Sequence, residues 1–158
     1  RSLRDSVKGD PEGRAQMALG QYIAGMGFSN VGLGIVHSMA HPLSAVYDIP
    51  HGVACAILLT PVLKFNAPST ADKYRDIAVA MGVKNTEDMS IEQARQACIE
   101  AVEKLSVDVG IPQKLTQLGV KEEDLQFLSE SAFVDACTPG NPRNVSVEAI
   151  KEIYKSIM

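Results

Sequence analysis

The sequence predicts an all-α fold, a bundle-like domain of roughly seven to nine helices, from three observations. Period-two alternation of apolar and polar residues, the mark of a half-buried strand, is nearly absent. Stop-and-cap signals recur, as in Gly9-Asp10-Pro11-Glu12, Ser90-Ile91-Glu92-Gln93 and Ser146. Between these signals apolar residues return every three or four positions. A length of 158 residues suits one domain with its own core.

The elements follow in order. Arg1 to Lys8 reads as the last turns of a helix, with Leu3 and Val7 four apart and Gly9 as the stop. The chain opens without an initiator Met and in mid-helix, so we expect it to be part of something longer. Asp10 caps a helix over 11–26, with Ala15, Leu19, Tyr22, Ile23 and Met26 on one face that we expect to be buried. Residues 27–34 are expected to form a loop containing Phe28. A helix over about 33–47 carries His37 and His41, and Pro42 predicts a kink or break because it offers no donor to the Ser38 carbonyl. The helix from Pro50 to about Phe65 is apolar nearly all round, which predicts a central position.

Residues 70–81 predict an amphipathic helix with Tyr74, Ile77, Ala78 and Met81 inward. The Ser90/Gln93 capping box opens another, to about Val109, with Ala94, Ala97, Cys98, Ala101, Val102 and Leu105 inward. Short helices are expected at 113–118 and 122–135, then a turn-rich loop at 137–143, then a last helix from Ser146 to Ile157.

Composition narrows the function classes. The net charge is −4, and Lys and Arg are spread out, so no basic stripe points to nucleic acid and no polybasic run to a membrane surface. The longest apolar stretch, Val53 to Leu63, is interrupted by Thr60 and Pro61 and reads as too short to span a bilayer. Three scattered cysteines (Cys55, Cys98, Cys137) predict a reducing compartment, the cytoplasm.

The chemistry-bearing feature is the histidines. All three in the chain fall between positions 37 and 51. Imidazole is the commonest transition-metal ligand. His37 and His41 share a helix face, and Pro50 places His51 at the start of the next helix. Two helices meeting there bring the rings together. The chain offers no Cys-x-x-Cys, so a bound metal would have its shell completed by water or by another protein segment. Other motifs fall away. Gly32-Leu33-Gly34 lacks the third glycine and the preceding strand of a dinucleotide fingerprint. No phosphate-binding G-x4-G-K-S/T and no nucleophile elbow occur. Cys98 reads as packing, and Lys121-Glu122-Glu123-Asp124 as the charged start of a helix.

The run from Gly32 through His37, His41 and Pro42 to Ala45, then Pro50-His51-Gly52 to Leu59, then Phe65-Asn66, resembles the second signature of the iron-dependent alcohol dehydrogenases. Tyr74-Arg75-Asp76-Ile77-Ala78, Gly110-Ile111-Pro112 and Cys137-Thr138-Pro139-Gly140-Asn141-Pro142-Arg143 extend the resemblance to the C-terminal helical domain of that fold, which dehydroquinate synthase shares. The resemblance implies that His37 and His51 are metal ligands. It implies that His41 lies beside the metal as a proton relay, and that Phe28 and Cys137 line the substrate pocket. Ser44 stands where glycine is usual and Cys55 where asparagine is usual. Neither is a family ligand position, so both changes are expected to be tolerated.

The resemblance further implies an Fe(2+) cofactor, or Zn(2+), and an NAD(H)-linked interconversion of a small alcohol or diol and its aldehyde, with lactaldehyde and 1,2-propanediol as the expected pair. It implies a homo-oligomeric parent, a dimer. The family's other two ligands, an aspartate and a histidine, and its Gly-Gly-Gly-Ser pyrophosphate loop belong to segments before this one. The chain alone is therefore expected to be inactive. The alternatives are a related zinc enzyme, such as glycerol dehydrogenase, and a non-catalytic helical fragment. The Cys137 to Arg143 loop favours the iron family.

Overall fold

A computed structural model describes residues 1–158 and is built around one helical hairpin. Its arms are α3 (Ile35–Tyr47) and α4 (His51–Asn66), which pack along each other and are joined by Asp48, Ile49 and Pro50. Asp48 ends α3 in the left-handed region at φ 54°, a conformation Asp adopts more readily than most residues. Pro50 then supplies the turn from which α4 starts at His51. The other α-helices are α1 (Leu3–Val7), α2 (Pro11–Val31), α5 (Lys73–Ala80), α6 (Ile91–Asp108), α7 (Leu125–Phe133) and α8 (Val147–Lys155). Five short 3-10 turns complete the eight α-helices, and there is no strand.

The main core lies where α3, α4, α7 and α8 meet. Ile35, Met39 and Leu43 of α3 pack with Ala54, Ile57, Leu58 and Val62 of α4, Leu125, Leu128 and Ala132 of α7, and Ile150, Ile153 and Tyr154 of α8. Fully burying a residue of this type contributes about 1.5–3 kcal/mol, so this cluster is the chief source of stability. Tyr154 is wholly buried and donates its hydroxyl to the Met39 carbonyl at 2.6 Å, pinning α8 to α3. A smaller cluster of Tyr74, Ala78, Cys98 and Ile99 joins α5 to α6, and Cys98 is packing there.

The caps behave as the sequence predicts. Asp10 accepts from the Gly13 N–H at 2.6 Å. Both halves of the Ser90/Gln93 box form, and Ser146 accepts from Ala149 N–H. Several expectations need correction. Residues 27–31 are not a loop, since α2 runs on to Val31 and stops at Gly32, whose φ is 81°. Interior glycines weaken a helix by about 1 kcal/mol each but do not by themselves end it. The apolar face of α2 is not buried either: Leu19, Tyr22, Ile23 and Met26 are about half exposed, and α2 packs on α1.

The third correction concerns Pro42, which does not break α3; the helix runs through it with the ring buried in the core. Packing on both sides outweighs one missing hydrogen bond. The fourth concerns the length of the apolar stretch, since α4 runs through Pro61 as predicted and on to Asn66. With the following 3-10 turn, His51–Ser69 is 19 residues long and apolar enough, by length and composition, to cross a membrane. A third of that stretch is buried inside the domain, where α4 packs against α3, α6 and α8. The expected 122–135 helix divides into a 3-10 turn at Glu122–Asp124 and α7, and the segment 115–118 is also 3-10.

Candidate metal centre

The hairpin brings all three histidines together. His37 and His41 sit one turn apart on α3, and His51 is the first residue of α4. The His37 and His51 ring centroids are 5.4 Å apart, as are those of His41 and His51, whose planes lie within 18° of parallel. His37 is half-buried, whereas His41 and His51 are exposed. Burial, then the neighbouring His51 and His41, hold His37 below its ordinary pKa, with Asp135 opposing them. His37 is therefore neutral at pH 7, with the lone pair a metal requires.

Two residues outside the histidine reading join them. Asp135, just past α7, lies 2.7 Å from His41 Nδ1 through its Oδ2, and its Oδ1 accepts the Cys137 N–H at 2.8 Å. Burial pushes the Asp135 carboxyl up, but the Cys137 N–H and His41 more than offset this, and it lies below its ordinary value. Asp135 is 94 residues from His41 along the chain, and no spacing rule could have paired them. Cys55 is different. Its Sγ lies 3.4 Å from His51 Nε2, and the i,i+4 spacing of the two residues on α4 carried that signal in the sequence. The change from the usual asparagine at position 55 therefore sets a sulfur beside a candidate ligand. Burial pushes the Cys55 thiol up to about 11.

The donor atoms of His37, His51 and Cys55 all lie within 4.8 Å of one another, as do those of His41, Asp135 and Cys137. The first set suits a divalent transition ion: imidazoles facing each other, one neutral, plus a soft donor. It leaves part of a four-ligand shell to be filled. Of the expected pocket residues, Cys137 stands beside His41 and Asp135. Phe28 does not join them through any ring contact or hydrogen bond. It sits on α2, 46% exposed, with its ring lying back toward Gly25.

The loop after Cys137 is fixed from several sides. Thr138 Oγ1 donates to the Ala132 carbonyl at 2.6 Å and accepts from Ser38 Oγ at 2.8 Å. Asn141 and Asn66 exchange paired amide hydrogen bonds of 2.8 and 2.9 Å. Arg143 donates to the Phe65 carbonyl and stacks 4.2 Å over its ring. A cavity of about 500 Å³, lined by Leu33, Gly34, His37, Asn66, Asn141 and Pro142 among others, opens beside His37. A larger one, about 630 Å³, lies between α4, α6 and α8, away from the histidines. Ser44, which replaces the usual glycine, buries its hydroxyl without a hydrogen-bond partner.

Fold and site together define a helical domain with a candidate metal centre at its central hairpin. Comparison with known proteins places it further: residues 1–158 match the family model described as Fe-containing alcohol dehydrogenase family, C-terminal, and the chain belongs to that family. It is 58% identical over 153 residues to the lactaldehyde reductase of Escherichia coli K12, covering 97% of this chain and 40% of that protein. It is 38% identical over 149 residues to the NAD-dependent methanol dehydrogenase of Bacillus methanolicus, covering 94% of this chain and 39% of that one. The solved alcohol dehydrogenase from Oenococcus oeni superposes with a TM-score of 0.94 at 37% identity, over 99% of this chain and 41% of that structure. The chain thus spans about two fifths of the length of the relatives it matches.

Proposed function

We propose that this chain is the metal- and substrate-binding part of an NAD(H)-dependent oxidoreductase that interconverts a small alcohol or diol and its aldehyde, with lactaldehyde and 1,2-propanediol as the pair. The observation that carries the reading is the convergence of His37 and His51 from two helices, 5.4 Å between ring centroids, in a chain of this family. The nucleotide site is assigned to a preceding α/β domain of the parent protein, and two further metal ligands to a helix shortly before this segment. The parent is read as a cytoplasmic homodimer, a setting in which three unpaired thiols are stable.

When bound, Fe(2+) (or Zn(2+)) would supply Lewis-acid polarisation of the alcohol or aldehyde oxygen, and NAD(H) would supply the hydride acceptor or donor. The chain's own residues do the rest. His37 and His51 would hold the ion. His41, fixed at Nδ1 by Asp135, keeps Nε2 free to take or give the hydroxyl proton. Asp135 is the positioning residue for that ring. Cys137, beside His41 and Asp135, is assigned to the substrate pocket, and Phe28 to its apolar wall.

The test is a fusion of this chain behind the nucleotide-binding part of the Escherichia coli relative. NADH-linked reduction of lactaldehyde is expected, and His41→Ala should lower it by about 100-fold or more. His37→Ala and His51→Ala should each abolish metal retention. A metal-loaded fusion without turnover would refute the substrate assignment. Turnover by the 158-residue chain alone would refute the division of labour.

A further inference from the structure

We propose that Cys55 is a third metal ligand supplied by this chain, forming with His37 and His51 a two-imidazole, one-thiolate site biased toward zinc-like ions. The inference rests on the reading of His37 and His51 as ligands and goes beyond it, since a thiolate donor is not part of the imidazole–carboxylate set that the resemblance implies.

The geometry carries it. Cys55 follows His51 by one turn of α4, so both side chains project from one face. Its Sγ lies 3.4 Å from His51 Nε2. In this chain on its own, a tetrahedral ion with water as its fourth ligand, and with bonds of about 2.3 Å to sulfur and about 2.05 Å to nitrogen, would set those two atoms about 3.5 Å apart. The observed spacing therefore fits two ligands of one ion with little movement. His37 closes the third side, all three donors falling within 4.8 Å of one another.

Chemistry sets the consequence. Thiolate is a soft donor that favours zinc, whereas imidazole with carboxylate suits iron(II). On binding, the Cys55 S–H bond breaks, its proton goes to water, and a sulfur–metal bond forms with no change of oxidation state. The competing account is a plain hydrogen bond, in which the Cys55 thiol donates to His51 Nε2 and plays no part in binding.

Cobalt(II) distinguishes the two, because only a cobalt–thiolate bond gives an intense sulfur-to-metal charge-transfer band in the near ultraviolet. The 158-residue chain, reduced and under anaerobic conditions, is titrated with cobalt(II). Both the visible ligand-field bands and the charge-transfer band are expected. Cys55→Ser and Cys55→Asn should each lose the charge-transfer band and keep the ligand-field bands. Cys137→Ser, which removes the thiol beside His41, should keep both. Ligand-field bands without charge transfer in the unmodified chain would overturn the role of Cys55 and leave the two histidines as ligands. Charge transfer that survives in both Cys55 variants would also overturn it. No spectral change at all would overturn this inference together with the metal reading beneath it.

Discussion

Replacing Gly140 by alanine tests how tightly the loop at 137–143 is seated on the start of α3. A Cβ at this position would lie 2.1 Å from the Leu33 carbonyl oxygen and 3.3 Å from its carbonyl carbon. Carbon and carbonyl oxygen meet at about 3.3 Å, so the backbone must separate by roughly 1 Å. Both sides of the contact are main chain, and neither can rotate away as a side chain would. A 1 Å retreat would stretch the reciprocal Asn66–Asn141 pair, now 2.9 and 2.8 Å, beyond hydrogen-bond range. Two such bonds contribute about 1–3 kcal/mol together. Holding the loop in place against the clash costs about 1–3 kcal/mol as overpacking. Either route gives about 2 kcal/mol, or about 4–8 °C in Tm for a domain of this size. Gly20→Ala is the matched control. It lies inside α2 with nothing within 4 Å of its would-be Cβ, so the gain in helix propensity of about 0.8–1 kcal/mol should raise stability. Thermal melts followed by far-ultraviolet circular dichroism decide the matter. A Gly140→Ala Tm within about 1 °C of the parent would refute the argument from close approach.

Other outcomes are expected. Tyr154→Phe removes the hydroxyl bound to the Met39 carbonyl while preserving the ring, and urea unfolding should show a loss of about 0.5–1.5 kcal/mol; no loss would mean that the bond does not hold α8 to α3. Asp135 titrates below its ordinary value of 3.8, so the folded state favours its charged form more than the unfolded chain does. Its contribution is complete above 3.8 and is lost as pH falls through the lowered folded value. Asp135→Asn should therefore flatten the acid-side decline in stability. Urea midpoints that fall as steeply in the variant as in the parent, between about pH 5 and about pH 3, would contradict this.

Much of the architecture was legible beforehand because helix signals are local. Asp10, Ser90 and Ser146 each cap within three residues of themselves, and the apolar run of α4 announced its central place. Proline and glycine were less dependable. Pro42 stays inside its helix because the burial around it outweighs the hydrogen bond it removes. Gly25 and Gly27 stay helical because propensity is only a weak prior.

By itself the sequence determined the helical class, the positions of most helices, and the histidine set, since His37 and His41 share a face by periodicity and His51 opens the next helix. Even the neighbour of His51, Cys55, was implicit in a four-residue spacing. Only the tertiary structure decided that Asp135 holds His41 across 94 residues, that Gly140 abuts Leu33, and that α2 keeps its apolar face exposed. Periodicity fixes which side chains share a helix face. Which faces meet depends on how whole helices pack, and that is set by the shape of the common core rather than by any one stretch of residues.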